Sequence, residues 1–159
     1  MDESNGVNVA IEHGHAEYSA EELLEQAQAN AQALIIVTAK FLRSREVPLE
    51  AWTGAIGCVF AEGWDEPRQW DAGEFLDAML TNYRALGATV EAVVLGTERA
   101  EATTVGFPDP DLCAVFDVEP AFAARFNDVP RPIARDRGLT WTWHLDGERT
   151  RFVVTRGGA

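Results

Sequence analysis

The sequence predicts an α+β fold: helices in the first half packed on a C-terminal antiparallel sheet of about four strands. Three observations carry this. Apolar residues recur at three- and four-residue steps between residues 19 and 86. After Gly87 the period falls to two. Near the C terminus, Asp146-Gly147 separates two alternating runs, and that pair is preferred in two-residue hairpin turns.

Ser19, with Glu22 three residues on, forms the capping box that opens a long first helix. Leu24, Ala27, Ala31, Leu34, Ile35, Thr38, Phe41 and Leu42 make its apolar stripe, and Arg43 and Arg45 suit its C-terminal dipole. Pro48 opens a second helix, because proline fits a first turn. Its expected buried face is Trp52, Ile56, Val59, Phe60 and Gly63. Gly54 and Gly57 each weaken it by roughly 1 kcal/mol relative to alanine, so both are expected to admit a close neighbour. Asp65, Glu66 and Pro67 break the chain. Asp71 and Glu74 box a third helix with the stripe Phe75, Leu76, Met79, Leu80, Tyr83 and Leu86, and Gly87 is its natural stop.

The β-branched run 89–95 reads as a strand that turns and returns antiparallel through 101–107. Asp111 caps a short helix or turn, Pro120 opens another through Phe126, and Pro130 and Pro132 suggest an extended connection. The final hairpin pairs 139–145 with 148–155. A two-residue loop at Asp146-Gly147 sets His144 opposite Arg149, Thr142 opposite Arg151, and Trp141 opposite Phe152. Leu139, Trp141, Trp143, Leu145, Phe152 and Val154 then share an apolar face. Thr140, Thr142, His144, Arg149, Arg151 and Val153 share the other.

Residues 1–18 have little apolar periodicity and read as a flexible acidic tail ahead of a single domain over 19–159. A chain of 159 residues buries roughly two thirds of its unfolded surface, enough to stand without disulfides or a structural metal. With 26 acidic against 13 basic residues, the net charge of −13 repels phosphate backbones and anionic lipid, which argues against nucleic acid and membrane partners. Two cysteines are too few for a thiolate metal set, no metal or cofactor is expected, and the absence of a signal-like segment makes the cytoplasm the default. The charge is uneven. Between Arg125 and Arg156 lie seven arginines against four acidic residues, which favours a local site for a small anion.

The second half also carries a resemblance. Pro-Asp-Leu-Cys-Ala-Val-Phe-Asp-Val-Glu from Pro110, Ala-Phe-Ala-Ala-Arg-Phe-Asn from Ala121, and Asp-Gly-Glu-Arg-Thr-Arg-Phe from Asp146 follow one another. This stretch resembles the C-terminal part of the L-2-amino-thiazoline-4-carboxylic acid hydrolase-like family, whose members are similar to the vinyl-4-reductase type of fold. The resemblance spans roughly the last 70 residues and implies helices first, sheet after, and a hydrolase-like activity. It departs from the family at Asp117, four residues after Cys113, and at Thr150 and Arg151, where the family tends to place cysteine.

The candidate catalytic residues are His144, Asp117, Glu119 and Cys113. A histidine beside an arginine stays neutral near pH 7 and can act as a general base. Carboxylates two residues apart can divide into acid and base when their environments differ. A thiol near a helix start can be activated, although Asp111, Asp117 and Glu119 oppose that by raising its pKa. Arg149, Arg151 and Arg135 are candidates to bind a substrate carboxylate. Trp64 and Trp70, flanking the acidic Pro67 loop, are candidates for a pocket lid or a dimer contact and are counted with the substrate-binding residues. His13 and His15 have metal-compatible spacing but lie in the tail. The leading expectation is a small-molecule enzyme acting on a carboxylate-bearing substrate between helices and sheet. The alternatives are a non-catalytic small-ligand-binding or sensor domain, and a subunit that forms a homodimer through its helical stripe.

Overall fold

The computed structural model describes residues 18–64 and 69–157. Most of the tail, with His13 and His15, and the break at Asp65, Glu66 and Pro67 lie outside the described residues. Three long helices come first: α1 (Ala20–Ser44), α2 (Leu49–Gly63) and α3 (Ala72–Ala85). The hairpin β1 (Thr89–Val94) and β2 (Arg99–Val105) follows. Next come α4 (Pro110–Val115), α5 (Pro120–Ala123), a 3-10 turn over Ala124–Asp128, and α6 (Pro130–Arg135). The hairpin β3 (Leu139–Asp146) and β4 (Arg149–Arg156) closes the chain. The protein is α+β, with a four-stranded antiparallel sheet in the order β1-β2-β4-β3.

Both expected capping boxes form. Ser19 and Glu22 exchange hydrogen bonds at α1, and Asp71 and Glu74 do so at α3. α3 packs on β1, β2 and β4 while α6 packs on β3. Its expected stripe is the heart of the core, with Phe75, Leu76, Met79, Leu80 and Tyr83 buried against Trp141, Phe152 and Val154. α2 lies over α6 and the 3-10 turn, and α1 packs on α4 and α5 around Ile36, Cys113, Val118 and Ala123.

Two helix faces differ from expectation. On α1 the buried positions are Gln32, Ile36 and Ala39, whereas Leu24, Leu34 and Phe41 are exposed. The reason is Gln32. Its amide meets three backbone groups of neighbouring loops, so burial follows hydrogen bonding as well as apolarity. On α2 the buried residues are Leu49, Thr53 and Gly57, and Val59 and Phe60 are exposed. Gly57 is the close-packed glycine: a Cβ there would lie 2.4 Å from the Val129 carbonyl oxygen, while one at Gly54 would meet nothing within 4 Å.

The connections differ too. Asp109, not Asp111, caps α4, accepting the N–H groups of Asp111 and Leu112. Pro130 opens α6 instead of an extended link, because its fixed φ also suits a first helical turn. In the last hairpin the loop is Gly147-Glu148, with Gly147 at φ +59° and Asp146 already paired to Arg149. Positive φ at the first loop residue alone is the II′ pattern, which admits glycine there. The register therefore moves by two residues, so that His144 faces Arg151, Thr142 faces Val153 and Trp141 faces Val154. An even shift leaves the two faces of the sheet as expected.

Candidate functional site

The sheet's outer face carries His144, Arg149 and Arg151, and it is a solvated surface laced by ion pairs. Arg149 binds Glu91 through two hydrogen bonds of 2.8 and 3.0 Å. Arg151 pairs with Glu101, which also holds Arg99. These partners hold the Glu101 carboxyl below the ordinary carboxylate range, Arg151 contributing most, and Glu91 raises the Arg149 guanidinium. Arg135 ends α6, exposed, with Nε 3.8 Å from Asp136 Oδ1. Of the other arginines in the basic C-terminal stretch, Arg125 and Arg131 close on Asp128 and Arg156 on Glu98. Six of the seven arginines of this stretch thus meet carboxylates, and the seventh, Arg137, meets carbonyls and an indole ring.

Asp117 and Glu119 sit in the α4–α5 loop beside α1, whereas His144 faces away from that layer. Asp117 is fully exposed in a left-handed conformation, φ 53°, with Oδ2 3.9 Å from Lys40 Nζ. With Arg43, the two carboxylates line a shallow cleft of about 250 Å³. Cys113 is buried, and burial first, then the Asp109 charge, pushes its thiol pKa up. That is the direction of an inert thiol.

Trp64 and Trp70 do come together. Their ring centroids lie 5.6 Å apart edge to face, and Trp64 stacks on Phe75 at 5.9 Å. Trp64 is fixed from behind by Arg137. The guanidinium lies 5.2 Å over its ring, while Nη1 donates to the Ile133 carbonyl at 3.0 Å and Nη2 to the Trp64 carbonyl at 3.3 Å. Both tryptophans wall a cleft of about 1000 Å³. Val59, Phe60 and Gly63 of α2 form one side, and Met79, Asn82, Tyr83 and Ala85 of α3 another. Phe126, Val129, Pro130 and Ile133 close it. No strand residue lines it, and no charged side chain does so among the described residues.

Buried Tyr83 bridges the cleft to the core, its ring 4.6 Å from Phe152 and 5.7 Å from Phe107. Burial, with the Asp128 charge second, raises its pKa well above the ordinary phenol range, so the hydroxyl stays protonated. A second anchor holds the 3-10 turn that supplies Phe126 to the cleft. Trp141 Nε1 donates to the Asn127 carbonyl at 2.8 Å and Trp143 Nε1 to Asp128 Oδ1 at 2.7 Å, tying β3 to the 3-10 turn. Sequence reasoning missed Tyr83, Met79 and Phe126 as cleft residues because each also reads as core. The only signal was the concentration of aromatic residues on the elements either side of Trp64.

Fold and site together define an α+β protein with an aromatic-walled cleft between helices, lined by no charged side chain among the described residues. No family model matches the chain, and neither does any curated protein or solved structure.

Proposed function

We propose that this protein is a small-ligand-binding domain whose ligand is predominantly apolar and carries a flat aromatic or conjugated ring. The observation that carries the reading is the cleft of about 1000 Å³, walled by Trp64, Trp70, Phe60, Phe126 and Tyr83. Ligand sites are concave, mostly apolar, and supplied with a few fixed polar groups. Asn82 and Tyr83 are polar residues of the lining here. The edge-to-face indole pair favours a planar ligand, since aromatic rings prefer edge-to-face and offset-stacked neighbours. The hydrolase-like expectation is weaker on the same grounds: its acid, base and arginine candidates lie off this cleft.

Nile red is a suitable probe, because it is flat, uncharged and brightens in apolar surroundings. It is expected to bind the full chain saturably and one to one. Ala85→Trp fills the cleft from an exposed helix end, and Phe60→Asp places a charge on its wall; each is expected to weaken binding at least ~10-fold. Unsaturable binding, or binding indifferent to both substitutions, would overturn the reading.

A further inference from the structure

Asn82 interrupts the stripe that α3 turns to the cleft. Met79, Asn82, Tyr83 and Leu86 follow the three- and four-residue spacing of one helix face, and all four line the cleft. Tyr83 is buried, its ring against Phe107 and Phe152, whereas Asn82 is exposed. The indoles of Trp64 and Trp70 can donate a hydrogen bond but not accept one. Among the described lining residues, Asn82 is thus the one exposed side chain that carries an oxygen. Its own helix fixes which end is which. Nδ2 donates to the Ala78 carbonyl at 3.1 Å, and a carbonyl only accepts, so the nitrogen lies against the backbone. One amide hydrogen is thereby committed. Oδ1 keeps both lone pairs, and no described residue donates to it.

We infer that the ligand of this cleft is a neutral fused-ring compound bearing an N–H or O–H group, which it donates to Asn82 Oδ1. The inference rests on the reading of the cleft as a site for a flat, mostly apolar ligand, and it names the polar group that decides between rings of one shape. An exposed amide oxygen is hydrated until a ligand covers it. A ring without a donor then strands that oxygen at its full desolvation cost, whereas a ring N–H or O–H replaces the lost water bond. Neutrality follows from the walls. No charged side chain lines the cleft among the described residues, so nothing there offsets the desolvation of an ionised ligand group. The net charge of −13 disfavours an acid further.

Carbazole and dibenzofuran are a matched pair: three fused rings of one shape, with a donating N–H in the first and an ether oxygen in the second. Each is titrated against Nile red on the full chain. Carbazole is expected to displace the dye at about 5-fold lower concentration. Asn82→Leu removes the acceptor from an exposed helix position, and leucine forms helix well. Nile red has no N–H or O–H of its own and should bind this variant at least as well, while the preference for carbazole disappears. Asn82→Asp keeps an accepting oxygen and should keep the preference, even where its charge weakens both compounds. Comparing the two compounds as a ratio cancels any general change in the cleft. Saturable Nile red binding without a preference for carbazole, or with one that Asn82→Leu leaves intact, overturns this proposal and leaves the reading of the cleft standing. So does a preference that Asn82→Asp abolishes as fully as Asn82→Leu, which would trace it to packing. Absence of saturable Nile red binding overturns both.

Discussion

Gln32 accepts the backbone N–H of Asp109 through Oε1 at 2.8 Å, joining the middle of α1 to the cap of α4. The same amide donates through Nε2 to the carbonyls of Leu86 at 2.7 Å and Gly106 at 2.8 Å. One side chain thus satisfies three backbone groups from two loops. Gln32→Leu keeps the size and strands all three, so stability to urea is expected to fall by about 3 kcal/mol or more. Gln32→Glu is expected to cost more, because a carboxylate faces two carbonyls. Unfolding midpoints compare the two; a neutral Gln32→Leu contradicts the hub.

Gln32 also marks where sequence reading stops. α3 was legible because its buried face is apolar throughout, so the 3.6-residue period and the burial coincide. α1 has two apolar stripes, and the richer one faces out, because the inner one is organised by a glutamine whose partners are backbone groups distant in sequence. The faces of the last hairpin were legible from alternation, but its register was not, since Asp146-Gly147 and Gly147-Glu148 are both competent loops. At the site, Trp64 and Trp70 were found as a pair from their flanking positions. Arg149, Arg151 and Arg156 misled, because their carboxylate partners Glu91, Glu101 and Glu98 lie on β1, on β2 and in the turn between them, 50 residues or more away in sequence.

The two α2 glycines give a matched pair of opposite sign. Gly57→Ala drives a Cβ to 2.4 Å from the Val129 carbonyl and 2.8 Å from Pro132 Cγ, so α2 and α6 must separate. A loss of about 1–3 kcal/mol is expected despite the better helix former. Gly54→Ala meets open space and is expected to gain up to about 1 kcal/mol. Thermal melts of the two variants check this, and equal shifts in either direction exclude the close α2–α6 contact.

The two thiols should separate by reactivity. Cys58 is exposed on α2, while Cys113 is buried with its pKa raised by burial and by Asp109. Ellman's reagent is expected to label one thiol per native chain rapidly and two after denaturation. Cys58→Ser should reduce the fast native count to none. Rapid labelling of Cys113 in that variant would show an open, activated thiol and restore it as a nucleophile.

Glu101 sets a pH dependence whose sign is fixed. Arg151 and then Arg99 lower its folded pKa below the unfolded value. The pairing therefore contributes above the ordinary carboxylate range and is lost as pH falls through the lowered folded value. Carbon-13 titration of the Glu101 carboxyl should give a midpoint below that of an exposed glutamate. Arg151→Gln should move it upward by more than Arg99→Gln does. A midpoint indifferent to Arg151→Gln would mean that the ion pair does not persist in solution.

Arg137 tests whether the cleft wall is held in place or merely present. Its guanidinium spans the carbonyls of Trp64 and Ile133, two cleft residues, and covers the Trp64 ring from outside. Methionine keeps the apolar stem but loses both hydrogen bonds and the cation over the indole. Releasing the ring by about 1 kcal/mol corresponds to roughly 5-fold weaker ligand binding. Arg137→Met is thus expected to weaken Nile red binding by that factor and to alter tryptophan emission. Lysine, a single point of charge, cannot reproduce the two-carbonyl fork and should restore little. His144→Ala, on the far face of the sheet, should change neither signal. If instead His144→Ala weakens binding while Arg137→Met does not, the ligand sits on the outer sheet face, and the arginine ladder there regains the role the sequence suggested.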